Sequence, residues 1–141
     1  MIDLLTSQIF ITLGVSWILA HLIKILVRKL RHRDNIKLFE PGGFPSGHTT
    51  LVMTLVFSFV YEFGWDSNFV VLSSVLAAIV IYDSLNLRFE AEKHARALID
   101  LDEKEKFLKY NLKRNLGHTK VEVIAGVLLA IIVTIISYEI F

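Results

Sequence analysis

The sequence predicts an all-α integral membrane protein, a compact bundle of four transmembrane helices plus a cytoplasmic amphipathic helix. Three observations predict it. Hydrophobic residues make up 54% of the 141-residue chain and mean hydropathy is +0.56, more apolar surface than a soluble domain of this length can hide. Four segments approach the roughly 20 apolar residues that a bilayer span needs. Every Lys and Arg falls where four spans would share one side of the membrane.

The first span runs from about Leu4 to Val27. It is long and no basic region precedes it, so no cleavable signal peptide is expected. The second runs from about Ser46 to Phe63; it is a little short, so bilayer thinning or a buried mouth accompanies it. Gly64-Trp65-Asp66-Ser67 then makes a tight connection with an interfacial tryptophan. The third span runs from about Asn68 to Leu87. Residues 88–113 are charged, with Ala91, Ala95, Leu98, Leu101, Leu108 and Leu112 at near-helical spacing. They predict a surface helix on the cytoplasmic face, lying against the bundle or the headgroups. Its acidic stretch, Asp100 to Glu105, holds the tip away from anionic lipid. The fourth span runs from about Val121 to the C-terminus. The side opposite the basic loops carries Asp3, Glu62, Asp66 and Glu139. The positive-inside rule makes the basic side cytoplasmic and puts both termini on the opposite side. The whole of 1–141 reads as one membrane-embedded domain.

Composition also excludes. Cysteine is absent, which removes disulfides, thiolate catalysis and cysteine-ligated metals. A formal net charge of +1 gives no bulk attraction to nucleic acid.

The four spans bring polar residues to one depth. Lys24 falls near the end of the first, Ser46 and His48 open the second, Asp83 and Arg88 close the third, and His118 and Glu122 open the fourth. Ionisable groups there are costly unless paired or lining a wet cavity, which marks them as functional candidates. Together they suit phosphoryl transfer without metal. Lys24 and Arg88, with Arg31 or Arg114, can neutralise phosphate oxygens. Amides near Ser46 and Gly47, at a helix N-terminus, can bind the equatorial oxygens. Two histidines can flank phosphorus, one attacking in line and one protonating the leaving oxygen. A carboxylate four residues after a histidine can fix its tautomer, and Glu122 has that spacing from His118.

Plainer roles compete for the same residues. Ser46 can be an N-cap in a turn, and His48 a hydrogen-bonded core histidine. Thr119-x-x-Glu122 matches a capping box, which on spacing alone is the stronger assignment for Glu122. Such a cap leaves His118 outside the helix. Lys24 and Arg28 can snorkel to the interface. Arg31, Arg33, Lys37 and Arg114 can serve orientation. Asp83 with Arg88 can be a structural ion pair.

As a set, these motifs resemble the divergent branch of the type 2 phosphatidic acid phosphatase superfamily, whose wider relatives include the vanadium haloperoxidases. Gly42-Gly43-Phe44-Pro45-Ser46-Gly47-His48, Tyr82-Asp83 with Arg88, and Leu116-Gly117-His118-Thr119 through Glu122 to Gly126 carry the resemblance. Lys24 and Arg31 keep the Lys-x6-Arg spacing of the wider superfamily's first motif, with His32 in place of its proline. Asn111-Leu112 stand where the third motif has Ser-Arg. The resemblance implies His118 as nucleophile, Glu122 as its orienter, His48 as acid, and Lys24 with Arg88 as phosphate clamps. Arg88 then substitutes for the missing arginine, with Arg114 second.

The function expected is a membrane lipid phosphatase. It hydrolyses a phosphate monoester or diphosphate of a lipid at the cytoplasmic leaflet through a phosphohistidine. No cofactor or metal is expected. The expected partners are a lipid phosphate or prenyl diphosphate substrate, membrane lipids, and a second copy of the chain in a homo-oligomer paired through apolar faces. The alternative is a non-catalytic phospholipid-binding or lipid-translocating protein that uses the same anion pocket.

Overall fold

The computed structural model describes residues 7–30, 42–101 and 116–140. They form five helices: α1 Gln8–Leu30, α2 Gly47–Phe63, α3 Asn68–Leu85, α4 Leu87–Asp100 and α5 Lys120–Ile140. No strand occurs among the described residues. Among the described residues three stretches are long and apolar enough to cross a membrane: Gln8–Leu30, Asn68–Asp100 and Lys120–Ile140.

The expected second span, α2, has only 17 residues. At 1.5 Å per residue it is about 25 Å long, short of a ~30 Å hydrocarbon layer. It is the inner helix, packed against α1, α3 and α5.

The packing is that of membrane helices, with small residues inside and large ones outside. The buried stripe of α1 is Thr12, Ser16, Ala20, Lys24 and Arg28; α2 buries Thr49, Thr50, Thr54 and Ser58; α5 buries Gly126, Ala130, Thr134 and Ser137. Leu22, Leu26, Leu72, Ile79, Leu128 and Ile132 face outward. Buried threonines satisfy their own hydroxyls by donating one turn back, Thr54 to the Thr50 carbonyl and Thr134 to that of Ala130, each at 2.8 Å. At the far end of the bundle Gln8 Nε2 donates to the Ser137 carbonyl at 2.9 Å. There too Tyr138 donates its hydroxyl to Glu62 Oε1 at 2.9 Å.

The surface helix departs from expectation. α4 follows α3 through Asn86 alone, and residues 102–113 of the expected helix lie outside the described residues. The predicted apolar stripe is buried only in part: Ala95 is buried, but Ala91, Leu98 and Leu101 are exposed, and the other buried position is Glu92. The reason is local. Unpaired amides in the loop before α5 offer donors that a carboxylate can meet and a leucine cannot.

Candidate active site

Two helix N-termini meet at the site. The Ser46 amide donates to the Glu122 carbonyl at 3.0 Å, locking the mouth of α2 to the first turn of α5. Gly126 permits the approach: a Cβ there would stand 2.8 Å from the Ser46 carbonyl oxygen and 3.0 Å from Thr49 Cβ.

Ser46 is the N-cap of α2. It is fully buried, and its hydroxyl accepts from the Thr49 amide at 3.4 Å and from Thr49 Oγ1 at 2.9 Å. With its own amide also engaged, Ser46 enters the site as a cap. The donors left at the mouth are the amides of Gly47 and His48, which have no acceptor among the described residues. Such amides, with the helix dipole behind them, favour an anion.

Lys24 points at the same place. It is 6% exposed, and a Cβ on Gly47 would lie 3.9 Å from its Nζ. Among the described residues it makes no hydrogen bond or ion pair, although the charges of Arg28 and Glu122 act on it. A buried ammonium at a helix N-terminus is costly without an anion. Lys24 therefore does not snorkel.

His118 is 3% exposed and lies just before α5. Its Nδ1 is 2.9 Å from Glu122 Oε2. The same oxygen accepts from the Thr119 amide at 3.1 Å, and Thr119 Oγ1 accepts from the Glu122 amide at 3.3 Å. The capping box and the histidine contact thus coexist, and the expected competition between them does not arise. Being outside the helix is what lets the ring fold back beside the first turn. An ionised carboxylate only accepts, so Nδ1 is the donor in this contact.

The imidazoles of His48 and His118 face each other, centroids 6.3 Å apart and planes at 64°. His48 is exposed, and Arg88, His118, Lys24 and Asp83 act on it electrostatically. Arg88 Nε forms an ion pair with Asp83 Oδ2 and is only part-buried. Arg31 and Arg114 lie outside the described residues.

Two cavities flank the pair. A groove of about 650 Å³ touches His48 but not His118, and is lined by Ile79, Val80, Tyr82, Leu87 and Arg88. A cavity of about 180 Å³ touches His118 but not His48, and is lined by Arg28, Phe89, Glu92, Arg96 and Glu122. Two of its charged residues escaped the sequence analysis. Arg28, taken as an interfacial side chain, is buried at 9% exposure and donates from Nη2 to the Gly42 carbonyl at 3.4 Å. The stripe of five residues at i, i+4 spacing from Thr12 to Arg28 was the available sign. Glu92 had none, because a carboxylate on a charged helix reads as solvated.

The profile of the divergent PAP2 family matches residues 5–133. A protein of Bacillus subtilis (strain 168), named there as the uncharacterized membrane protein YuiD, is 29% identical, with 95% of this chain and 96% of that protein covered. No solved structure matches the chain.

Proposed function

The chain belongs to the divergent PAP2 family, and from that premise we propose that it is a membrane lipid phosphatase acting through a phosphohistidine. The observation that carries this reading is the pair His48 and His118, 6.3 Å apart across the mouth of α2.

Each group has a role. His118 Nε2 attacks phosphorus while Glu122 holds Nδ1 and fixes the tautomer. His48, protonated, gives its proton to the leaving oxygen as the P–O bond breaks. Neutral His48 then takes a proton from water, which attacks the phosphohistidine and releases phosphate as the N–P bond breaks. Lys24 and the Gly47 and His48 amides neutralise the equatorial oxygens. Arg88 leans in from α4 with Asp83 as its holder; Arg31 and Arg114 remain candidates for the same clamp. In-line displacement places the leaving group on the side of His48. The groove lined by Ile79, Val80, Tyr82 and Leu87 opens on that side, which suits the hydrocarbon chain of a lipid alcohol.

The bundle is read as four spans in one domain, α2 being shielded by its neighbours. Arg28 and Lys29 end α1 near the site, so the positive-inside rule gives the site to the cytoplasmic leaflet and both termini to the other side.

Phosphate release by purified protein tests the proposal, with prenyl diphosphates, phosphatidate and phosphatidylglycerophosphate as the panel and His118→Ala as control. Turnover of one of these lipids, lost in His118→Ala, is expected. Lipid phosphate binding without release by the wild type would overturn it in favour of a non-catalytic lipid-binding protein.

A further inference from the structure

Three successive amides carry the chain into His118, and all three are captured by the α3–α4 unit. Leu116 and Gly117 donate to Glu92 Oε2 at 2.9 and 3.1 Å, and His118 donates to the Ser84 carbonyl at 3.1 Å. Glu92 is the one side chain among these acceptors. It is 8% exposed, and its other oxygen takes Arg96 Nη2 at 2.6 Å. A carboxylate filled on both oxygens is a rigid anchor, because each charge-assisted bond resists displacement of the others. The loop also sits directly on α4. A Cβ at Gly117 would come within 2.6 Å of Phe89 Cα, so only glycine fits this close approach.

We propose that Glu92 is a positioning residue for the His118 imidazole, acting through the Leu116 and Gly117 backbone. This rests on the phosphatase reading for its catalytic consequence, but not for the positioning itself. Glu122 holds the ring from the α5 side; Glu92 holds the backbone that carries the ring from the α4 side. Nothing in the motifs around His118 contains this residue, which comes 26 positions earlier on another helix. Loss of the anchor frees the loop without removing any group that touches substrate. A displacement of about 1 Å at a nucleophile is enough to cost about 100-fold in rate.

The test compares wild type, Glu92→Ala, Glu92→Gln and, as a control on the exposed side of α4, His94→Ala. Amide hydrogen exchange and the rate of His118 modification by diethyl pyrocarbonate are read first, since neither needs turnover. Glu92→Ala should expose the Leu116 and Gly117 amides and speed modification of His118 at least tenfold, with α1 and α5 exchange unchanged. Glu92→Gln, whose amide oxygen still accepts, should restore most of both. With an active substrate, Glu92→Ala should lower kcat about 100-fold and leave KM within about threefold. Unaltered exchange and His118 reactivity in Glu92→Ala would overturn the proposal, and so would equal effects of Glu92→Ala and Glu92→Gln. A wild type that releases no phosphate from any lipid would end the phosphatase reading while the exchange and modification data still decide the role of Glu92.

Discussion

Glu122 Oε2 serves His118 Nδ1 at 2.9 Å and the Thr119 amide at 3.1 Å, so one oxygen both caps α5 and orients the buried imidazole. This dual use separates a stability role from a chemical one. Thr119→Ala removes one capping hydrogen bond and should cost about 1 kcal/mol of stability, with kcat within about threefold of wild type. Glu122→Ala removes the cap and the orienting contact together, and kcat should fall about 100-fold. Thermal unfolding and steady-state kinetics check both. Equal loss of activity in the two variants would mean that Glu122 works only through the cap.

Lys24→Met tests the buried ammonium. The charge is held away from water beside the α2 N-terminus, so its removal should leave stability equal or higher. Phosphate stabilisation should suffer, with kcat/KM down about 100- to 1,000-fold. Lys29→Met, at the exposed end of the same helix, should stay within about twofold. Matching effects of the two substitutions would remove Lys24 from the clamp.

Gly126→Ala tests the contact between the two helix N-termini. The new methyl meets the Ser46 carbonyl at 2.8 Å and Thr49 Cβ at 3.0 Å. Overpacking of this kind costs about 1–3 kcal/mol. Relief by sliding α2 from α5 widens the gap between His48 and His118, so the surviving folded protein should turn over at least tenfold more slowly. Wild-type stability and turnover would show that the two helices do not need this close approach.

The rate should depend on pH as a bell. His118 must be neutral to attack, so activity falls on the acid side; His48 must be protonated to donate, so activity falls on the alkaline side. Each limb reports one imidazole of the pair, and the apparent values belong to the coupled pair rather than to either residue. Initial-rate kcat/KM from acid through alkaline pH is the measurement. A flat profile through the alkaline side would count against His48 as acid.

Much of this was legible in the chain because the membrane makes hydropathy speak plainly. The helices at Gln8–Leu30, Asn68–Leu85 and Lys120–Ile140 follow runs of apolar residues that a bilayer selects by length. α2 falls below that length at 17 residues, and it carries Thr49, Thr50, Thr54 and Ser58 inward. Local geometry was legible where spacing was short, as in the Ser46 cap of α2 and the contact of Glu122 with His118. Glu92 was not, since its partners are backbone amides more than twenty residues away, and side-chain patterns carry no trace of a backbone bond. The burial of Arg28 was misread for a different reason. An arginine at a helix end snorkels by default, and only its i, i+4 alignment with Lys24 and Ala20 argues otherwise.

The central claim is that His118 and His48 act from opposite sides of one phosphoryl group. Rapid acid-free quench with a phosphorus-labelled lipid phosphate, followed by peptide mapping, tests it most directly. The account predicts acid-labile label on His118 in the wild type and none in His118→Ala. In His48→Ala with an activated leaving group it predicts accumulation of that label, because attack no longer needs an acid while hydrolysis still lacks its base. Label on another residue, or phosphate release at the wild-type rate by His118→Ala, would contradict it.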